Sequence, residues 1–387
     1  MNRQSTGWPL AGMPVEEFLQ DYWQKKPCLF RQAFPGFVAE LDENDIAGLA
    51  CEEMVEARLV SGTFEKADWA LEQGPFDESR LAVLPERDWC LLVQDVEKHY
   101  PPLQNLLEQF AFLPSWRLDD LMVSVSAPGG SVGPHVDQYD VFLLQASGQR
   151  RWQVADTFNP ALLADSELKV LQEFTAEQEW VLQPGDMLYL PPGVAHFGLA
   201  LDLGMTWSIG LRAPSQADLF QALGDWLAEY HAEGKRFSDP GLKLPTHAGE
   251  ISTDALQQFT RLLDVSGTTS GAPDLAGFLA AFISRYRLAH QPASPEPQLR
   301  LADIKQALAS GAQLRRNPWT RMNWIAGDSQ SRLFAAGEEF SCSQPLAVAL
   351  CGPGIDGINL ARLGTDEQNC ILLLLNQGHL YLQDPDP

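Results

Sequence analysis

His135-Val136-Asp137, together with the run Pro184-Gly185-Asp186-Met187-Leu188-Tyr189-Leu190-Pro191-Pro192-Gly193-Val194-Ala195-His196, decides the reading of this chain. Two imidazoles and one carboxylate form a ligand set that leaves three faces of an octahedral Fe(II) open. On an extended segment, side chains alternate with period 2, so a His-x-Asp pair projects to one side. The third ligand must then come from another strand. His196 lies 59 positions after Asp137, just beyond Met187–Leu190, which reads as a strand stopped by Pro191-Pro192-Gly193. That is the layout of a jelly-roll barrel with a metal in its mouth. A lone His-x-Asp is weak evidence, and the pairing with His196 in its own motif makes it strong. The alternative, a surface histidine and a turn aspartate after Gly133-Pro134, leaves His196 unexplained. His231-Ala232-Glu233 falls on a predicted helix, where positions i and i+2 share no face, and is dismissed. His99, His247, His290 and His379 have no neighbouring ligand pattern.

Outward from this motif, residues 120–212 are dominated by short strands. Leu121–Ser126, Val141–Gln145, Arg150–Val154, Glu179–Gln183, Met187–Leu190 and Met205–Leu211 are separated by Pro128-Gly129-Gly130, Ser147-Gly148 and Pro184-Gly185. Upstream, residues 14–24 predict a helix, with Val15, Phe18, Leu19 and Tyr22 at helical spacing, leading through Pro27 into a strand. Residues 42–114 mix short elements in no clear order. Downstream, Leu219, Phe220, Leu223, Trp226, Leu227 and Tyr230 predict an amphipathic helix. Further helices are predicted over 254–263 and 274–288, with a loop at 266–273 and a linker at 291–297. The last segment predicts a small winged-helix-like unit, with a helix at Leu301–Ala309 and strands near Phe340 and at Gly378–Gln383. The expected architecture is α+β: a jelly-roll domain over 1–214, a helical region over 215–290 and a winged-helix-like domain over 297–387.

The chain of 387 residues carries a net charge of −24, and its segment 296–387 holds 7 Lys and Arg against 10 Asp and Glu. This argues against nucleic acid as a direct ligand, because phosphate binding needs clustered cations. It suits either a basic protein partner or plain solubility. The six cysteines, at 28, 51, 90, 342, 351 and 370, form no Cys-x-x-Cys pair and read as small apolar side chains. No apolar run approaches the ~18 residues of a membrane span, and the first residues lack a secretory apolar stretch, so a cytoplasmic location is expected.

Two features bear on the metal and its partner. Zinc could use the same three ligands with water. Fe(II) with a 2-oxo acid needs a cation for the distal carboxylate, and Arg150 or Arg151 supplies it. Adjacent strand residues face opposite ways, so one of the two points inward. The strand after Arg117 places Asp120, Met122, Ser124 and Ser126 on one face and Leu121, Val123 and Val125 on the other. The polar face lines the barrel mouth, with Asp120 against a basic substrate and Ser126 near the cosubstrate, or it is the wet face of an edge strand.

His135-Val136-Asp137 with Gln138-Tyr139-Asp140-Val141-Phe142, then Arg150-Arg151-Trp152, then Pro184-Gly185-Asp186 through His196, resembles the JmjC-type oxygenases that use iron and 2-oxoglutarate. Among them the chain is most similar to the bacterial ribosomal oxygenases, over its whole length. The resemblance implies a double-stranded β-helix of cupin-like form, with Fe(II) held by His135, Asp137 and His196. It implies Arg150 on the 2-oxoglutarate carboxylate with Ser126, and Asp120, Met122, Tyr139 and Ser208 around an arginine of a large-subunit ribosomal protein. It further implies O2 consumption with release of succinate and CO2, and a helical middle that forms a homodimer. Histidyl hydroxylation, N-methyl demethylation and a non-enzymatic metal-binding module are the rival readings.

Overall fold

The computed structural model describes residues 8–164, 166–230, 236–238, 253–262, 274–286, 290, 292–352 and 355–384. The expected loop at 266–273, His231-Ala232-Glu233 and His247 lie outside them.

In chain order the first part holds helix α1 (Val15–Asp21), strand β1 (Cys28–Phe30), α2 (Glu43–Leu49), β2 (Ala57–Ser61), β3 (Ala70–Gln73), α3 (Glu78–Leu81), β4 (Trp89–Val93), α4 (Val96–His99) and α5 (Gln104–Glu108). The barrel strands follow: β5 (Leu118–Ser126), β6 (His135–Val136), β7 (Val141–Ser147), β8 (Arg150–Ala155), β9 (Gln178–Leu182), β10 (Met187–Leu190), β11 (Ala195–Ala200) and β12 (Gly204–Leu211). They form an eight-stranded sheet, β1-β10-β7-β12-β5-β4-β2-β3, facing a four-stranded sheet, β6-β11-β8-β9.

The apolar strands are apolar on both faces because both faces are covered. On β7, Val141 and Leu143 pack between the sheets with Trp152, Val154, Leu188 and Leu190. Phe142 and Leu144 face the other way, into the main core with Phe18, Tyr189 and Trp207. The alternation on β5 is as the sequence indicates, with Leu121, Val123 and Val125 in that core. It is not an edge strand: β12 pairs on one side and β4 on the other. Asp120, Ser124 and Ser126 are therefore buried rather than wet. The edge reading fails because residues 42–114, which showed no order in the sequence, supply β2 to β4.

Beyond the barrel come α6 (Gln216–Tyr230), α7 (Thr253–Leu262) and α8 (Leu275–Arg285). Leu219, Ala222, Leu223 and Trp226 of α6 pack against Phe278, Phe282 and Tyr286. Phe220, one of the expected apolar stripe, instead stands 63% exposed. The C-terminal unit comprises α9 (Leu301–Ala309), β13 (Gln313–Arg316), β14 (Met322–Ile325), β15 (Ser331–Ala335), β16 (Glu338–Cys342), α10 (Gln344–Cys351), α11 (Thr365–Asn376) and β17 (Leu380–Gln383). β13 pairs with β17, and β14, β15 and β16 form a three-stranded wing around a core of its own. Among the described residues no helix is long and apolar enough to cross a membrane.

Candidate active site

His196 does not merely follow a strand; it belongs to β11, and His135 of β6 is its directly opposed partner in the antiparallel register. Cross-strand partners stand close enough for their side chains to meet, and the two rings are 4.2 Å apart by centroid. Asp137 Oδ2 lies 3.6 Å from His196 Nε2 and 4.0 Å from His135 Nε2. The ligand atoms of all three residues fall within 4.8 Å of one another.

The backbone sets both tautomers. His135 Nδ1 is 2.9 Å from the Gly133 carbonyl and His196 Nδ1 is 3.0 Å from the Val194 carbonyl. A carbonyl can only accept, so each Nδ1 carries the proton and each Nε2 presents a lone pair. Burial, with His135 alongside, holds His196 down to about 4, keeping it neutral. Two lone pairs and a carboxylate converging without a proton between them fit one divalent cation. No fourth protein ligand joins this group among the described residues, whereas a structural zinc site prefers four.

A cavity of about 580 Å³ opens from this triad. One wall is Arg150, 4% exposed. Its Nη1 donates to Ser126 Oγ at 3.1 Å and its Nη2 to the Gly198 carbonyl at 3.2 Å, while its Nε has no partner. Among the described residues no carboxylate reaches it. A buried guanidinium without a counter-ion is expensive, so this site fits a ligand that brings an anion. Burial already lowers its proton affinity. Arg151 points away, half-exposed, toward Glu179 at 3.5 Å. Gly198 makes room for this arrangement: a Cβ there would meet Arg150 Nε at 2.7 Å. Ser126 lies behind Arg150, bonded also to Cys90 Sγ at 3.1 Å, whereas Ser124 is on the cavity wall.

The opposite end of the cavity carries Asp120, Met122, Tyr139 and Ser208. Asp120 accepts from Gln94 Nε2. Burial, and then Asp119, Glu97 and Asp95, hold its carboxyl well above the usual carboxylate range, with Lys98 opposing. Tyr139 keeps part of its ring exposed at the mouth, with its phenol pushed up by burial and by Asp137. Ser208 sits on β12 directly opposite Met122 of β5. The cavity thus joins a cation-ready triad, a buried guanidinium without a carboxylate partner and a buried carboxyl bonded to a neutral amide.

Residues 105–219 match the JmjC domain family and residues 272–381 the ROXA-like winged helix family. The chain is 35% identical, over 84% of its length and 84% of the relative's, to the ribosomal protein uL16 3-hydroxylase of Escherichia coli. It belongs to the JmjC-type ribosomal oxygenases. A probable ribosomal oxygenase of Haemophilus influenzae is 41% identical over 59% of this chain and 55% of that one. The E. coli ribosomal oxygenase YcfD, solved in complex with cobalt and 2-oxoglutarate, superposes with a TM-score of 0.78 at 32% identity, covering 96% of this chain and 98% of that one. The jelly roll and the winged helix of this oxygenase family are thus both present here.

Several lining residues of this ribosomal oxygenase had no signal in its sequence. Arg58, Cys90 and Gln94 come from β2, β4 and the residue after it. No motif marks them, and their strands showed no order. Thr206 and Arg212 lie on or just after β12. For them the period-2 pattern of β12 was the available clue, since Thr206 and Ser208 share a face.

Proposed function

We propose that the chain is an Fe(II)- and 2-oxoglutarate-dependent hydroxylase that acts on an arginine of a basic large-subunit ribosomal protein. The observation that carries this reading is that the triad's cavity holds two buried groups in no direct ion pair, Arg150 and Asp120. Arg150 awaits an anion and Asp120 awaits a cation, and a cosubstrate dicarboxylate and an arginine side chain answer those needs.

In this reading His135, Asp137 and His196 hold the metal. Bound Fe(II) supplies the oxidising chemistry, with O2 and 2-oxoglutarate consumed and succinate and CO2 released. Arg150 grips the distal carboxylate bidentately, oriented by Ser126 and the Gly198 carbonyl. Asp120 pairs the substrate guanidinium, Tyr139 packs on its plane, Met122 lines the aliphatic stem and Ser208 accepts an N–H. The protein's part is to hold the reacting carbon in place and exclude water. The acidic chain draws in a basic partner, and no nucleic acid is needed.

The jelly roll over 1–214 carries the chemistry. The helices over 215–290, where Phe220 is left uncovered, pair two copies, and residues 297–387 complete the protein. The reaction takes place in the cytoplasm. The test is mass spectrometry of recombinant ribosomal protein uL16 incubated with the enzyme, Fe(II) and 2-oxoglutarate. The expected result is the mass of one added oxygen on an arginine peptide. An oxygen only on histidine peptides, or formaldehyde release from methylated peptides, would replace this reading with one of its rivals.

A further inference from the structure

Asp119 and Asp120 are consecutive on β5, and Asp119 sits where two cavities meet. It borders the substrate end of the active-site cavity and also a second cavity, of about 470 Å³, between the barrel domain and the C-terminal unit. With open space beside it, apolar packing does not fix this carboxylate; its ion pairs must. Oδ1 of Asp119 accepts from Arg212 Nε at 3.0 Å and from Arg321 Nη2. Arg212 is itself anchored, donating from Nη1 to the Trp116 carbonyl at 3.0 Å. Arg321, just before β14, donates from Nη1 to the Tyr286 carbonyl after α8. The Tyr286 hydroxyl donates to Asp218 Oδ2 at 2.9 Å, and both residues line the active-site cavity. One guanidinium of the C-terminal unit therefore ties the barrel strand to the helices at the cavity's rim.

The charges point the same way. Asp95, Glu97, Asp119 and Asp120 interact with one another and with Lys98, Arg212 and Arg321. Four carboxyls face three cations. Burial holds the Asp120 and Glu97 carboxyls toward their neutral forms, so the cations are matched to Asp95 and Asp119. Without Arg321, Asp119 would lose one of its two ion pairs and compete with Asp120 for the substrate's guanidinium.

We propose that Arg321 is a positioning residue for substrate capture: it holds Asp119, and thereby β5, so that Asp120 rather than Asp119 pairs with the substrate guanidinium. The C-terminal unit is thus a buttress of the substrate site. This rests on the reading of Asp120 as the guanidinium partner.

The experiment is steady-state kinetics of the full-length enzyme with recombinant ribosomal protein uL16, alongside thermal melting. Arg321→Met and Asp119→Asn should each raise the KM for uL16 about ten-fold with kcat within about two-fold, the signature of lost binding rather than lost chemistry. Arg321→Lys, which keeps the charge, should stay within about three-fold of wild type. Asn323→Ala removes another bond of the same interface, Asn323 Nδ2 to the Ala280 carbonyl at 3.1 Å. It should lower the melting temperature and leave KM alone. A fall in kcat at constant KM in both Arg321→Met and Asp119→Asn overturns the proposal. So does a KM that follows the melting temperature across all four variants. If Arg321→Met does not fold, the isosteric Asp119→Asn decides. Asp120→Asn separates the two levels. Unchanged KM in Asp120→Asn refutes the substrate-site reading itself. Raised KM there, with Arg321→Met and Asp119→Asn unaffected, refutes the buttress alone.

Discussion

The two ends of the active-site cavity are built in different ways. At the metal end, His135 is held by the Gly133 carbonyl, His196 by the Val194 carbonyl, and Arg150 by the Gly198 carbonyl and the Ser126 hydroxyl. At the proposed substrate end, Asp120 is held by Gln94, and its neighbour Asp119 by Arg212, just after β12, and by Arg321 of the C-terminal unit. The metal end is built from backbone and hydroxyl bonds within the barrel, while the other end also draws, through charge, on the C-terminal unit. Chemistry common to a superfamily suits the first construction. Recognition that differs from one substrate to the next suits the second, because a distant cation can change without disturbing the triad.

The largest effect is expected at the metal end. His135→Ala or Asp137→Ala should lower coupled 2-oxoglutarate turnover by more than about 100-fold, since even outer partners of a metal site are worth 10–100-fold. Circular dichroism and melting should stay close to wild type, because neither side chain belongs to the apolar core. Treatment with a chelator should give the same loss, and added Fe(II) should reverse it. Appreciable turnover in either variant would break the metal end of the comparison.

Next in size is Arg150. Arg150→Ala should raise the apparent KM for 2-oxoglutarate about 10- to 100-fold, a charge-assisted pair being worth about 1.5–3 kcal/mol. Arg151→Ala should move it less than about two-fold, as befits a half-exposed pair. Reversal of the two would mean that β8 carries its side chains in the opposite register.

The same contrast governs what the sequence could disclose. Period-2 alternation placed the faces of β5, and short runs bounded by Gly and Pro turns placed β7, β8, β10 and β12 within a few residues. The triad was legible because its ligands sit in two short motifs. β11 was missed because Pro191-Pro192-Gly193 masks its start, and its pairing with β6 is a property of register rather than of composition. Arg321 and Gln94 were invisible. They reach β5 through contacts spanning 202 and 26 positions, which no local pattern encodes. The −24 charge suited a basic partner and plain solubility equally, and did not tell where that charge is concentrated.

At the substrate end, Asp120→Asn should raise the KM for the ribosomal protein about ten-fold, with the KM for 2-oxoglutarate little changed. A peptide with lysine in place of the target arginine should be used poorly, because an ammonium cannot fill the planar fork. Capture should also depend on pH. Asp120 holds its proton well above the usual range in the free enzyme, and binding a guanidinium favours its ionised form. The KM for substrate should therefore fall as pH rises, and Asp120→Asn should flatten that slope. A slope that survives in Asp120→Asn would assign the titration elsewhere in the cluster.

The smallest effect on turnover, and the sharpest probe of the charge-built end, is at Glu97. Buried behind β5, it accepts from the Leu121 backbone N–H at 2.9 Å. Burial raises its carboxyl from 4.5 to about 7, against the pull of Lys98 and of that N–H. The folded chain thus binds a proton that the unfolded chain releases, so stability from this group is greatest below about 4.5 and declines as pH climbs through about 7. Glu97→Gln keeps the acceptor and removes the titration. It should match wild type in melting at pH 5 and exceed it at pH 8, by on the order of 1–3 kcal/mol. It also removes one of the carboxyls that hold Asp120 up. The pH midpoint of substrate capture should then shift downward, while the KM for 2-oxoglutarate stays where it was. If Glu97→Gln shifts the 2-oxoglutarate KM as well, the two ends are electrostatically one site, and the division drawn between them fails.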